Sequence, residues 1–272
     1  MAPAESRGIG DLHSHLVPAV DDGACSLEEA LDAVERMVEG GVRSIVTTPH
    51  LNASTTKVAS DREARLAEVD EAWNEVCGAV KVRFPTLDFR RGHEVMLDIP
   101  DPDLSDPRVR LSGTSFVLVE WPRLQIPPQT EPVIERICAE GYRPIIAHPE
   151  RYRGMAQTID LAGAWRRAGA FLQVNNGSLA GRYGDEARDV ALALLARGWV
   201  DYFSSDFHAR AHLRTYVKYV KTFLEEQAAT EQLELLTVTN PARVLDDEMP
   251  LPVPIVEMRS GLWSRVKAIF GG

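Results

Sequence analysis

Five short apolar runs end on histidine or carboxylate side chains, and helical patterns separate them, which confines this chain to a small set of folds. The runs are Ile45-Val46-Thr47-Thr48-Pro49-His50, Leu87 to Glu94, Phe116 to Pro122, Ile145 to Arg151 and Tyr202 to His208. Each is rich in β-branched or aromatic residues and closes on proline or polar residues, as strands do. Ahead of the first run, Ser26-Leu27-Glu28-Glu29 reads as a capping box that opens an apolar-periodic helix through Val38, with Gly40-Gly41 as its stop. Similar patterns occupy 58–77, 131–140, 158–168, 186–197 and 211–227. Strand and helix alternate about seven times, which predicts a parallel α/β architecture with crossover helices. In such folds chemistry collects at the carboxyl ends of the strands, where His50, Glu94, Glu120, His148, Asp206 and His208 fall.

An earlier segment supplies what resembles half of a metal site. In Asp11-Leu12-His13-Ser14-His15 the two histidines are two residues apart, so on an extended strand both imidazoles point to one side. The Asp21-Asp22-Gly23 turn brings a hard oxygen ligand, Asp22, back toward the same mouth. Two such histidines also suit a barrel core or a sheet edge; the acids and histidines at the other strand ends favour metal binding.

With 272 residues the chain is long enough for one barrel-like domain, expected over 1–248. The Pro-rich stretch from Pro250 to Pro254 reads as a linker, so 249–272 is expected to be a linker followed by a short tail. Thirty basic against forty acidic residues give a net charge of -10, which disfavours nucleic acid as the main partner. The first ten residues carry no apolar leader and no run approaches a membrane span, so the expected location is cytoplasmic. Three cysteines, Cys25, Cys77 and Cys138, are an odd number in an α/β pattern and predict free thiols.

Taken together, the motifs resemble the polymerase-and-histidinol-phosphatase (PHP) superfamily. The nearest likeness is to the bacterial protein-tyrosine phosphatases of capsule and exopolysaccharide systems, the CpsB/YwqE type. The segments that carry it are Asp11 to His15, Val20-Asp21-Asp22-Gly23, Thr47-Thr48-Pro49-His50, Gly92-His93-Glu94, Val119-Glu120-Trp121-Pro122, Ile146 to Arg151, Gly177-Ser178-Leu179-Ala180-Gly181 and Ser204 to His208. The resemblance implies a distorted (β/α)7 TIM-like barrel, the PHP fold, with a trinuclear metal cluster. It places the first ion on His13, His15, Glu94 and Asp206, and the second on Glu94, Glu120 and His148. Asp22, His50 and His208 would hold the third. Mixed imidazole and carboxylate ligands suit Mn, Zn or Fe, and the resemblance implies Mn²⁺ among them. Three divalent ions against four carboxylates leave a formal charge of about +2, which attracts an anionic ester into an acidic chain.

The resemblance implies hydrolysis of phosphotyrosine on a protein, with a bacterial tyrosine kinase of capsule synthesis as the partner. A small-molecule phosphatase of the histidinol-phosphate kind shares the cluster, and a non-catalytic metal-binding barrel is the alternative from another class. Arg151, directly after His148-Pro149-Glu150, is the residue expected to grip phosphate with a fork of donors. A second arginine is implied five residues after His208, where this chain has Leu213; Arg210 and Arg214 flank it, and Arg214 is the further catalytic candidate. Cys77 and Arg83 have the C-x5-R spacing of thiol-dependent phosphatases, but they follow a helical segment and lack the Gly- or Ser-rich phosphate loop. His93 should face away from Glu94, and Asp11 is either an acceptor for a ligand histidine or a turn cap. In the tail, Leu262, Trp263, Val266, Ile269 and Phe270 share a helical face beside Arg259, Arg265 and Lys267. Such a face lies on the inner membrane surface or docks on the barrel or on a second subunit of an oligomer.

Overall fold

A computed structural model describes residues 8–259 and 261–262. Among these residues there are nine strands: β1 Ile9–Asp11, β2 Val42–Thr47, β3 His50–Asn52, β4 Asp88–Arg91, β5 Glu94–Met96, β6 Phe116–Glu120, β7 Arg143–Ala147, β8 Phe171–Asn175 and β9 Tyr202–Ser204. Every ladder is parallel. They form a three-stranded sheet, β1-β2-β4, and a six-stranded sheet, β3-β5-β6-β7-β8-β9.

The two sheets derive from seven strand positions. Thr47 pairs with Arg91, and His50 pairs with Glu94 in the same register, so β2 with β3 and β4 with β5 are two strands each broken for two residues. The first break falls at Thr48-Pro49, where proline has no N–H for a ladder. At the other side, Asp206 N–H donates to His13 O and His15 N–H to Phe207 O, both at 2.9 Å, around a parallel bridge between Ser14 and Phe207. The strand–helix alternation predicts the parallel α/β architecture and the resemblance implies its distorted, TIM-like form; neither predicts the interruptions.

The helices are α1 Leu27–Glu39, α2 Ala53–Lys57, α3 Ala59–Arg83, α4 Thr130–Ala139, α5 Asp160–Arg167, α6 Asn176–Leu179, α7 Asp185–Ala196, α8 Val217–Glu226, α9 Thr230–Glu234 and α10 Asn240–Leu245. Ser26 caps α1 by accepting from Glu29 N–H, and the Glu29 carboxylate accepts from Cys25 N–H. Helix α8 starts six residues later than the apolar pattern suggests. The preceding loop is tied down by other bonds: Arg36 donates to the Arg210 and Leu213 carbonyls and Asn176 to the Thr215 carbonyl. Tyr216 is also left-handed, at φ 54. No described helix is long and apolar enough to cross a membrane.

Alternate residues of the strands face different partners. Val117, Val119, Ile146, Leu172, Val174 and Phe203 pack with helix residues such as Ile134, Trp165 and Leu194. Leu12, Val46, Phe116, Leu118, Ile145, Ala147 and Tyr202 form an inner cluster. Both faces of the strands are thus covered, as parallel sheets require. The inner face turns polar toward the carboxyl ends: Phe116, Leu118, Glu120 on β6; Phe171, Gln173, Asn175 on β8; Tyr202, Ser204 and then Asp206 along and past β9.

The Pro-rich segment after α10 packs on the barrel. Val253, Val256 and Met258 are buried, Val256 N–H donates to Leu195 O, and Leu262 rests on the same apolar cluster. Trp263, Arg265, Val266, Lys267, Ile269 and Phe270 lie outside the described residues.

One aromatic group ties this core to the polar end. The buried Tyr152 hydroxyl accepts from the buried backbone N–H of Trp121 at 3.0 Å, and its ring sits 6.0 Å from those of Trp165 and His148. Tyr152→Phe removes the acceptor and leaves that N–H without a partner. Urea unfolding should show a loss of about 1–3 kcal/mol; an unchanged midpoint and slope would contradict this role.

Candidate metal centre

His13 and His15 are fully buried just past β1. Their Nε2 atoms converge on Glu94 Oε2 and Asp206 Oδ1, with His–His and His–carboxylate separations of 3.1 to 3.5 Å. Neighbouring ligand atoms that each sit about 2 Å from one first-row divalent ion are separated by distances of this size. His13 Nδ1 meets Gln173 Oε1 at 2.9 Å and His15 Nδ1 meets Asp21 Oδ2 at 2.7 Å. With both Nδ1 atoms engaged by acceptors, neutral rings turn bare Nε2 lone pairs toward two carboxylate oxygens. Buried acceptors this close to one another need a cation or shared protons between them, so the donor set fits a metal ion.

The neighbouring groups extend the same pocket. Glu94 Oε1 lies 3.0 Å from His148 Nε2, which is 3.9 Å from Glu120 Oε2. Asp22 Oδ1 lies 3.3 Å from His208 Nε2 and 3.4 Å from His50 Nε2, while His50 Nδ1 reaches Glu94 and Glu120 at 3.2 and 3.5 Å. All nine ligand-type residues therefore come together, with Glu94 between the first two groups and His50 between the second and third. His208 Nδ1 faces the Asp206 carbonyl at 3.0 Å, which leaves Nε2 for the pocket.

Two of these residues adopt left-handed backbone, His148 at φ 36 and Asp206 at φ 51. An extended backbone would send His148 to the face opposite Ala147; the left-handed turn returns it to the pocket. Such conformations cost of order 1–3 kcal/mol each and concentrate at functional sites. The Asp21-Asp22-Gly23 turn is equally constrained, because a Cβ on Gly23 would lie 2.2 Å from the His15 carbonyl oxygen.

The charges respond to this crowding. Burial lowers the His13 pKa, but the Glu94 and Asp206 charges outweigh it and bring it up to about 9. Burial and then the Glu94 charge push Glu120 up to about 8. Glu94 itself is held well below the carboxylate range despite burial, by the His13 charge and by hydrogen bonds from the surrounding histidines. Protons and positive rings fill the role that an ion would take.

Arg151 reaches the cluster. Its Nη1 donates to Asp206 Oδ2 at 2.5 Å and its guanidinium lies 4.3 Å from the centre of the Tyr183 ring. It does not form the surface pair with Glu150 that adjacency would allow; buried Glu150 accepts from Ser178 and from Asn175 N–H. Arg214 is exposed on a separate cleft with Arg36, Glu39 and Tyr216. The arginine beside the third group is Arg210, which donates to the Asp22 carbonyl at 2.9 Å and approaches Cys25 Sγ. Residues 208–216 form a loop and not the first turns of a helix, so Arg210 and not Arg214 lies beside Asp22.

Asp11 caps backbone: it accepts from His13 and Ser205 N–H groups, and Asp21 is the carboxylate that holds a ligand ring. His93 is buried with Nδ1 on the Arg108 carbonyl, away from the pocket. Cys77 and Arg83 both lie on α3, where Arg83 pairs with Glu35, so no phosphate loop exists there. Sequence reasoning missed Asp21, Gln173, Asn175 and Tyr183. Two amides spaced two apart in Phe171-Leu172-Gln173-Val174-Asn175 are the signal that could have found the middle pair.

A family model for capsular polysaccharide synthesis, CpsB/CapC, matches residues 9–246. The tyrosine-protein phosphatase YwqE of Bacillus subtilis is 28% identical over 229 residues, 84% of this chain and 88% of that protein. The putative tyrosine-protein phosphatase CapC of Staphylococcus aureus is 25% identical over 255 residues, 93% of this chain and 98% of that protein. A solved structure from work on YwqE and on CpsB of Streptococcus pneumoniae, described as unique metal-dependent tyrosine phosphatases, shares the fold with a TM-score of 0.76 at 24% identity, covering 92% of this chain and 100% of that one. A phosphotriesterase homology protein from Escherichia coli shares it more distantly, with a TM-score of 0.51 at 13% identity over 88% of this chain and 99% of that one.

The raised His13 pKa gives a signed expectation. Protonation of His13 stabilises the metal-free fold fully below its ordinary value of 6.5 and is lost as pH rises through about 9. Glu120, raised to about 8, acts in the same direction. Chelator-treated protein should therefore lose thermal stability between these pH values more steeply than Mn²⁺-treated protein, because bound ions replace the protons. Parallel melting curves with and without Mn²⁺ would refute this.

Proposed function

The chain belongs to the CpsB/CapC family of capsular polysaccharide synthesis, and on that premise we propose that it is a metal-dependent protein-tyrosine phosphatase. Its substrate in this reading is phosphotyrosine on a bacterial tyrosine kinase that controls capsule or exopolysaccharide synthesis. The observation that carries the reading is the convergence of nine imidazole and carboxylate side chains on one pocket with Arg151 at its rim. YwqE is named a tyrosine-protein phosphatase and CapC a putative one, which supports this reading.

His13, His15, Glu94 and Asp206 would hold one ion, Glu94, Glu120 and His148 a second, and Asp22, His50 and His208 a third. Mn²⁺ suits this oxygen- and imidazole-rich set, and Fe and Zn are the other ions it accommodates. Bound ions supply Lewis acidity and lower the pKa of water. The chain's own residues do the rest. Asp206 turns Oδ1 to the histidines and gives Oδ2 to Arg151. Arg151 uses one donor there and keeps others of its planar fork for phosphoryl oxygens, with its face against Tyr183. A tyrosine leaving group has a pKa near about 10, so its departure needs less help from an acid than a serine ester does.

Access favours a chain-borne substrate. His13 and His15 are fully buried, whereas the Asp22 side chain is 66% and that of Arg151 21% exposed. A cleft of about 470 Å³ is lined by Asp22, His50, Asn52 and Arg65. Another of about 250 Å³ is lined by Arg151, Arg153, Tyr183 and Glu186. Each borders residues of the cluster or its arginine, which leaves room for segments of a peptide that carries the phosphotyrosine.

Arg151→Lys keeps a cation near Asp206 but removes the fork, so kcat/KM for a phosphotyrosyl peptide should fall at least about tenfold with metal content unchanged. Cys77→Ser should stay within about threefold of the parent. Phosphotyrosyl peptide should be hydrolysed faster than phosphoseryl peptide or histidinol phosphate. Preference for histidinol phosphate, or loss of activity in folded Cys77→Ser, would overturn the proposal.

A further inference from the structure

Two buried amides on β8 connect ligands that belong to different strands. Gln173 and Asn175 are two residues apart, both fully buried and on the inner face. Gln173 Oε1 lies 2.9 Å from His13 Nδ1, Gln173 Nε2 donates to Asn175 Oδ1 at 2.9 Å, and Asn175 Nδ2 donates to Asp206 Oδ2 at 2.8 Å. The backbone of Asn175 is itself anchored, because its N–H donates to buried Glu150 Oε1 at 2.9 Å, which also accepts from Ser178 Oγ at 2.6 Å.

The direction of this chain of hydrogen bonds is fixed from one end. An ionised carboxylate only accepts, so Asn175 must turn its NH₂ toward Asp206 and its oxygen toward Gln173. Gln173 must then donate to that oxygen, which leaves its own oxygen for His13. His13 Nδ1 must carry the proton, and the lone pair of Nε2 is directed into the pocket. Each step excludes the flipped alternative because that would set two acceptors against each other.

We propose that Gln173 and Asn175 are positioning residues that hold His13 in its Nδ1–H tautomer and fix the Asp206 carboxylate, so that the two present Nε2 and Oδ1 to one metal ion as a coupled pair. The proposal rests on the metal-binding reading given above. Neither amide needs to touch substrate or metal. Their effect is on how strongly, and in which protonation form, the first ligand set engages the ion.

Mn²⁺ binding to the full-length, chelator-stripped chain, followed by equilibrium dialysis with elemental analysis, tests this. Gln173→Met keeps the volume and removes both polar ends, and should weaken the tightest Mn²⁺ site by about tenfold or more. Asn175→Leu should do the same, and the double variant should be no weaker than the weaker single variant within about threefold. Gln173→Glu keeps an acceptor for His13 but obliges Asn175 to turn its oxygen toward Asp206, so it should recover only part of the lost affinity. In Zn²⁺-loaded, ¹⁵N-histidine-labelled protein, His13 should show a protected Nδ1–H that persists in Gln173→Glu and vanishes in Gln173→Met. Parent-like Mn²⁺ binding by Gln173→Met, additive losses in the double variant, or a parent His13 protonated on Nε2 would each overturn the relay. A parent chain that binds no Mn²⁺ would instead overturn the metal reading beneath it, and the relay with it.

Discussion

The convergence of acceptor atoms inside the barrel is the constraint to which the other features answer. Glu94 and Asp206 are buried carboxylates beside imidazoles whose outer nitrogens are already committed to Gln173 and Asp21. An isolated buried carboxylate is costly and would take up a proton. Here Glu94 and Asp206 are instead held well below the usual carboxylate range, and the compensating positive charge appears on His13 and His15. The donor set therefore fits a cation, which would take the place of the protons on His13 and His15.

The surrounding fold supplies rigidity at the points where the pocket would otherwise relax. Inner-face residues pass from apolar to polar along each strand, so the cluster stands on a packed floor of Phe116, Leu118, Ile145 and Tyr202. The close approach of Gly23 to His15 and the left-handed backbone of His148 and Asp206 aim side chains that a regular ladder would not. Arg151 then links buried Asp206 to the solvent side, since it shares that carboxylate with Asn175 and rests on Tyr183.

Much of this was legible in the sequence because strand periodicity is simple. His13 and His15 two apart, and acids or histidines at the ends of apolar runs, follow from the alternation of side chains along an extended chain. The breaks at Thr48-Pro49 and Gly92-His93, which split two strands between two sheets, depend on tertiary pairing. Which of Asp21 and Asp22 meets the outer nitrogen of His15 and which meets His50 and His208 depends on the turn geometry, and two adjacent acids do not reveal it. Arg210, and not Arg214, stands beside Asp22 because residues 208–216 are tied to Arg36 and Asn176 before α8 begins. The β8 amides were overlooked because polar residues in a strand resemble a solvated face, whereas here they line a buried one.

The most direct measurement is a titration of the chelator-stripped chain with Mn²⁺ in which bound metal and hydrolysis of a phosphotyrosyl peptide are followed together. If the pocket is the catalytic centre, stripped protein is inactive and the rate rises with occupancy to a plateau at about three ions per chain. Hydrolysis at full rate with no metal bound, or full occupancy with no hydrolysis of any phosphomonoester, would contradict the account.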